Sequence, residues 1–373
     1  MAASPPTVYH LAEVRLGGAF PFLGQAGAGH RRQVRETFER AVDQGLDLGP
    51  SIVVISGNLF GTAFPARDLA DFAREQIGRF SARGIPVLVA AGPLDALYER
   101  TYAAGALTGL DRVTVFQPMA RPVDFPDLDL CVVGASWSAS PAQPVHVDFL
   151  ATLAPHRKHR HLIGVAHLEL PETEEGTKAL RRQIATCGAA YLALGGSAAR
   201  RDLSSERVAA WCSGGAELVA PDPGEGSPLW VALGDAVTVT PHPINKRRFA
   251  RITLEPSTYE SSDDLLEAIR ALAAPGLAAH VRLTGRSRVN QFVDAADLQT
   301  RMADAFLSLE IVDESHPALD TLASAGYPDM SVAGKFLAVV LAEMERTTTA
   351  EARWRTGAAL RLGLSLLEGR RPS

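Results

Sequence analysis

Two short runs that leave no polar face constrain this chain more than any other feature. Ser51–Ser56 reads Ser-Ile-Val-Val-Ile-Ser, and residues 85–91 follow as Ile-Pro-Val-Leu-Val-Ala-Ala. A strand of this kind has to be covered on both sides, which is the situation in a parallel sheet wrapped by helices. The flanking segments supply that cover. Residues 30–46 place Val34, Phe38, Ala41 and Val42 on one helical face, and residues 66–83 read as a second helix. A strand over 7–12 precedes them and runs into Gly17-Gly18. Strand, helix, strand, helix implies parallel pairing with right-handed crossovers, hence an α/β fold.

The pattern continues with strands expected at 113–116, 129–135, 162–168, 190–194, 208–211, 229–233 and 236–240, and a helix at 174–187. Proline and glycine crowd 221–228, a surface-loop signal. After Pro241-His242-Pro243 the texture changes. Phe249–Leu254 alternates like a half-exposed strand, 262–274 reads as a helix with Ser262 at its N-cap, 278–283 as a strand, and 294–309 as a helix. Two amphipathic segments, 331–345 and 349–367, close the chain. The expected organisation is a core over 1–242, a small α+β capping domain over 245–315 and a helical segment over 331–373.

With 46% hydrophobic residues in 373, the chain can bury a large core, and its net charge of −5 excludes a globally basic nucleic-acid binder. Cys131, Cys187 and Cys212 form neither a metal-ligand spacing nor a disulfide framework. Residues 1–7 carry no apolar signal segment, and no apolar run reaches membrane-spanning length. The expectation is a soluble, cytoplasmic protein with no membrane partner.

Four stretches mark strand ends: His10-Leu11-Ala12-Glu13-Val14-Arg15-Leu16-Gly17, Gly57-Asn58-Leu59-Phe60-Gly61, Gly92-Pro93-Leu94-Asp95 and Leu194-Gly195-Gly196-Ser197-Ala198, with Gly164-Val165-Ala166-His167-Leu168 between the last two. Their order, spacing and context resemble the calcineurin-like metallophosphoesterases, in particular the SbcD/YhaO branch of DNA repair exonucleases, over roughly residues 7–310. That resemblance implies a four-layer core of two β-sheets flanked by helices. It also implies two metals, usually manganese, that activate water and clamp a phosphodiester. In the family the first strand ends in Asp-x-His, the second in Gly-Asp-Leu-Phe-Asp and the third in Gly-Asn-His-Asp. A lone histidine follows, then Gly-His-x-His.

Set against that pattern, most of the ligands are replaced. Glu13 stands for the first aspartate and Arg15, a permanent cation, for the histidine. Asn58 replaces the bridging aspartate, and Pro93 and Leu94 replace asparagine and histidine, while Asp95 is kept. His167 is retained, and Gly196 and Ala198 replace the last two histidines. Two dications need carboxylates to offset their charge, so the expectation is no metal cofactor and no assigned catalytic residue.

The remnants support two readings. Glu13 and Arg15 form a salt bridge, Asn58 is a turn residue, His167 a core histidine and Asp95 a helix cap; or Arg15, Asn58 and the amides near Gly92 and Gly195 form an anion pocket. Arg157, Lys158 and Arg160, in a basic run, and Lys246, Arg247 and Arg248, near the domain junction, are further candidates for contact with an anion or DNA. From the resemblance, the expected function is an inactive or severely impaired homologue that positions DNA or acts as a scaffold. Its partner would be an SMC-like ATPase of the SbcC/YhaN type, whose coiled coil docks on Phe336, Val340, Met344, Trp354 and Leu362. The alternatives are a weak single-metal phosphodiesterase and a stand-alone DNA-binding module. The resemblance also allows a homodimer.

Overall fold

The computed structural model describes residues 4–95, 105–137, 149–221, 224–287, 295–317, 328, 330–346 and 349–367. Chain contacts divide it into two compact units, Met1–Arg248 and Phe249–Ser373.

The first unit begins with β1 (Thr7–Leu11), α1 (Gly27–Leu48), β2 (Ile52–Ser56), α2 (Arg67–Ala82), β3 (Val87–Ala90) and β4 (Val113–Val115). It continues with β5 (Arg121–Phe125), β6 (Leu130–Ala135), β7 (His161–His167), α3 (Glu174–Thr186) and β8 (Tyr191–Gly195). It closes with β9 (Arg201–Asp202), β10 (Ala209–Cys212), β11 (Leu229–Leu233) and β12 (Val237–Pro241). Two mixed six-stranded sheets result, ordered β12-β11-β1-β2-β3-β4 and β5-β6-β7-β8-β10-β9. The α/β architecture with two large mixed sheets flanked by helices is the one expected.

Strand alternation builds the layers. Val8, Ile52, Val54 and Leu88 of the first sheet meet Ile163, Val165, Tyr191 and Ala193 of the second in one core cluster. The opposite face of β1 turns to α1, where the Tyr9 hydroxyl donates to the Ala41 carbonyl at 3.0 Å. The outer face of the second sheet, with Cys131, Val133, Leu162 and Leu192, packs with Phe149, Leu153 and Ile184. All five residues of β2 are buried, as a two-sided strand requires.

One polar group interrupts the inter-sheet core. His10 is fully buried, with Nδ1 2.8 Å from the Tyr191 hydroxyl and Nε2 2.7 Å from Ser56 Oγ. These bonds tie β1 and β2 to β8, and burial pushes the imidazole pKa down to about 3.

The second unit holds β13 (Arg248–Leu254), α4 (Ser262–Arg270), β14 (Leu277–Leu283), α5 (Ala295–Met302) and β16 (Ser308–Asp313). Their three-stranded sheet is ordered β13-β14-β16, and the two-residue strands β15 (Arg286–Ser287) and β17 (His316–Pro317) pair separately. Helices α6 (Val332–Arg346) and α7 (Ala350–Leu367) belong to the same unit.

Three sequence expectations change. The first helix of this unit stops at Arg270, and its N-cap is Ser261, in a capping box with Asp264. The helix expected over 294–309 ends at Met302, because Leu309 and Ile311 alternate into the core of a strand paired with β14. Arg121–Phe125 is an edge strand whose exposed, proline-containing sequence hides its pairing with β6.

The burial of His10 has a consequence for acid stability. A histidine kept neutral in the fold lets the unfolded chain bind a proton that the folded chain refuses, so stability is present above pH 6.5 and lost as pH falls toward 3. The slope from this residue is about 1.4 kcal/mol per pH unit. In urea unfolding, wild type should lose roughly 2 kcal/mol more between pH 7 and pH 5 than His10→Gln does. Equal losses would mean that His10 is protonated in the fold.

Candidate functional site

The strand ends that carry the marked motifs converge at one end of the sandwich. The loop after β1 and the loop after β2 are zipped together by backbone bonds: Glu13 N–H to Gly57 O, Arg15 N–H to Asn58 O, Leu16 N–H to Leu59 O and Gly17 N–H to Phe60 O, all between 2.7 and 3.1 Å. Glu13, Arg15 and Asn58 all lie in the left-handed backbone region, with φ of 51°, 52° and 52°. Such conformations cost side-chain-bearing residues free energy, and they cluster where backbone geometry serves a site.

Glu13 is the hub, with 1% of its surface exposed. Arg15 Nε donates to its Oε2 at 2.8 Å, and Arg15 Nη2 lies 2.7 Å from the same oxygen. Asn58 Nδ2 donates to both carboxylate oxygens, at 2.9 and 3.0 Å. His167 Nδ1 lies 3.4 Å from Oε1, and its ring meets Trp137 edge-on. Arg15 also reaches the Val219 carbonyl at 3.3 Å. The negative charge is thus met inside the chain by one cation and one amide.

Asp95 does a separate job. Its carboxylate accepts from the backbone N–H groups of Leu59, Phe60 and Gly61 at 2.9–3.0 Å and of Gly92 at 3.3 Å. It therefore fastens the β2 loop to the β3 loop; the helix it was expected to cap falls at 96–104, outside the described residues. Burial pushes its carboxyl up to about 6 against the downward pull of the four N–H donors. Asn58 Oδ1 completes the arrangement by accepting from Leu94 N–H at 2.9 Å. Pro93 is half-buried, and the Leu94 side chain is exposed.

The glycines at this end are tightly fitted. A Cβ on Gly195 would lie 2.0 Å from the Ser56 carbonyl oxygen, and one on Gly92 would lie 2.3 Å from Asn58 Oδ1. Gly196 has φ 110°, and a Cβ there would lie 1.9 Å from the Leu168 carbonyl oxygen. A histidine at 196 would need a different backbone. Ala198 accepts through its carbonyl from Gly215 N–H.

Three donors of the expected anion cradle already have partners: Asn58 Nδ2 and Arg15 bond Glu13, and Gly92 N–H bonds Asp95. The basic run lies elsewhere. Arg157 and Lys158 are exposed before β7, at the strand end opposite His167, and Arg160 pairs with Asp235 at 2.7 Å. Lys246 and Arg248 are exposed, and Arg247 bonds His30. Of the expected docking residues, Phe336, Val340 and Met344 pack with Leu360 and Leu364 in the seam between α6 and α7. Leu362 is exposed, and the Trp354 side chain lies outside the described residues.

Sequence reasoning placed Glu13, Asn58 and His167 together but missed Trp137 and the Val219 carbonyl, which carry no motif. Among the described residues no set of three His, Cys, Asp or Glu side chains is arranged to hold a metal ion, and no helix is long and apolar enough to cross a membrane.

No family model matches the sequence, and no curated protein matches it. Among solved structures, it is similar to a dimetal phosphatase from Danio rerio at 12% identity and a TM-score of 0.40, covering 64% of this chain and 99% of that one. It is also similar to a conserved uncharacterized protein, a predicted phosphoesterase, from Streptococcus pneumoniae, at 8% identity and a TM-score of 0.28, covering 64% and 91%. At these values neither likeness bears on the chemistry of this chain.

Removing the Asp95 carboxylate tests the fastening. Asp95→Ala leaves four backbone donors without their acceptor and should lower the unfolding free energy by about 3 kcal/mol. A loss below about 1 kcal/mol, measured by denaturant unfolding, would show that the loops hold without it.

Proposed function

We propose that this chain is a phosphoesterase-like protein that no longer cleaves phosphodiesters, and that it works as a scaffold or DNA-positioning subunit of an SMC-like ATPase. One observation carries the loss of chemistry: both oxygens of Glu13, the carboxylate in the first ligand position, are held by Asn58 and Arg15. The residues do not fit a two-metal centre. A guanidinium occupies one side of the carboxylate, an amide stands where a bridging carboxylate is needed, and Leu94 offers no proton.

The backbone deepens the loss. Restoring Asp at 13, His at 15 and Asp at 58 would return side chains to the first two loops. It would leave Gly196, whose conformation excludes a histidine. Metal binding would therefore need the loop after β8 to be rebuilt, not just refitted with side chains.

The scaffold role is supported by exposed residues that take no part in the Glu13 network. Val332, Val339 and Leu366 are exposed on α6 and α7, and apolar helix faces of this kind are what a partner helix packs against. The exposed Arg157, Lys158 and Arg248 can meet a phosphate backbone. A weak single-metal phosphodiesterase is the alternative. It would need Glu13 Oε1 and His167 Nδ1, 3.4 Å apart, to turn toward one ion while Arg15 releases Oε2.

The test is manganese-dependent hydrolysis of duplex and single-stranded DNA and of bis(p-nitrophenyl) phosphate. Wild type should match its metal-free control, and so should the variant carrying Glu13→Asp, Arg15→His and Asn58→Asp. Metal-dependent turnover by wild type would overturn the reading. Turnover by the triple variant alone would show that Gly196 is no obstacle.

A further inference from the structure

A second site lies in the first unit at the opposite end of the inter-sheet layer. His161 opens β7 and His167 closes it on the same face, six residues and about 20 Å apart. A cavity of about 690 Å³ opens at the His161 end, between the start of β7, the Ser204–Arg207 turn, β10 and the β11–β12 hairpin. It is an open groove with a mixed polar and apolar lining, and its volume is that of a small-molecule site, roughly 300–1,000 Å³.

Its walls are chemically distinct. Trp211, half-buried on the inner face of β10, lies on one sheet; Val237 and Val239 of β12 lie on the other. The walls therefore offer an aromatic side chain from one sheet and aliphatic side chains from the other. His161 is 6% exposed, and its backbone N–H donates to the Asp129 carbonyl at 3.1 Å, yet its ring makes no hydrogen bond among the described residues. The residue lines the cavity, where its ring nitrogens can offer a donor and an acceptor. Burial lowers its pKa, so it meets a ligand uncharged near neutrality.

The mouth carries charge. Arg160 is already paired with Asp235. Arg207 is exposed and forms no ion pair among the described residues; Glu206 beside it is likewise exposed and unpaired. A guanidinium suits a phosphate, and a carboxylate accepts from hydroxyl groups.

We propose that this cavity binds a mononucleotide, with the base between Trp211 and the valines of β12, His161 bonded to the base edge, the phosphate at Arg207 and the ribose hydroxyls at Glu206. The proposal does not depend on whether the Glu13 network has lost its chemistry.

Isothermal titration of the full chain tests it, with adenosine 5′-monophosphate as the probe and ribose 5-phosphate and inorganic phosphate as comparisons. The nucleotide should saturate one site per chain, and ribose 5-phosphate should bind at least about tenfold more weakly, because it has no ring to stack. Arg207→Ala, which removes an exposed side chain with no ion pair among the described residues, should weaken nucleotide binding about tenfold and reduce its salt dependence. His161→Gln, checked for folding by circular dichroism, should weaken it without changing the salt dependence. The proposal fails if adenosine, guanosine, cytidine and uridine monophosphates all show no saturable binding up to millimolar concentration. It also fails if phosphate alone binds as tightly as the nucleotide, or if Arg207→Ala leaves the affinity unchanged.

Discussion

A carboxylate with almost no contact with water sits at the junction of the β1 and β2 loops, and its surroundings depend on how its charge is met. Glu13 is held by a guanidinium, an amide and a nearby imidazole. Breaking such a pair on one side typically costs about 3–5 kcal/mol when both partners are buried, and less here because Arg15 is about one-quarter exposed. The backbone strain at Glu13, Arg15 and Asn58 persists around this ion pair. The loop geometry is therefore kept, and the charge balance that would support dications is replaced by an internal one.

The same end of the molecule is sealed from beneath. His10 joins Ser56 to Tyr191 within the inter-sheet core, and Asp95 fastens the β2 loop to the β3 loop through four backbone donors. Gly57 and Gly195 let His167 and Ser56 approach the backbone closely. These contacts are structural: they hold the strand ends in register without needing a ligand. The cavity at the other end differs in kind, because the ring of the histidine that lines it makes no hydrogen bond among the described residues.

Much of the core was legible in the sequence because its strands are buried on both faces and separated by amphipathic helices; β2 and β7 are the clearest cases. The motif spacing also brought Glu13, Asn58 and His167 to one place. What stayed hidden depends on contacts distant in sequence. Val219 meets Arg15 across 204 residues, and the Asp95 carboxylate bonds the backbone of the β2 loop. Strand β16 was hidden because Ser308–Asp313 comes soon after α5, which ends at Met302, and only pairing with β14 reveals its period. His161 directly follows the basic run of Arg157, Lys158 and Arg160 in sequence, and its burial follows from its place at the start of β7.

The central claim is that Glu13 is committed to Arg15 and Asn58 rather than to metal ions. Electron paramagnetic resonance of Mn²⁺ titrated into the full chain tests it most directly, because free hexaaquo manganese gives a six-line signal that weakens on binding. The account predicts that the signal grows as it does in buffer alone, with no stoichiometric uptake, in wild type and in Arg15→Ala alike. Loss of one or two equivalents of signal in wild type would contradict it.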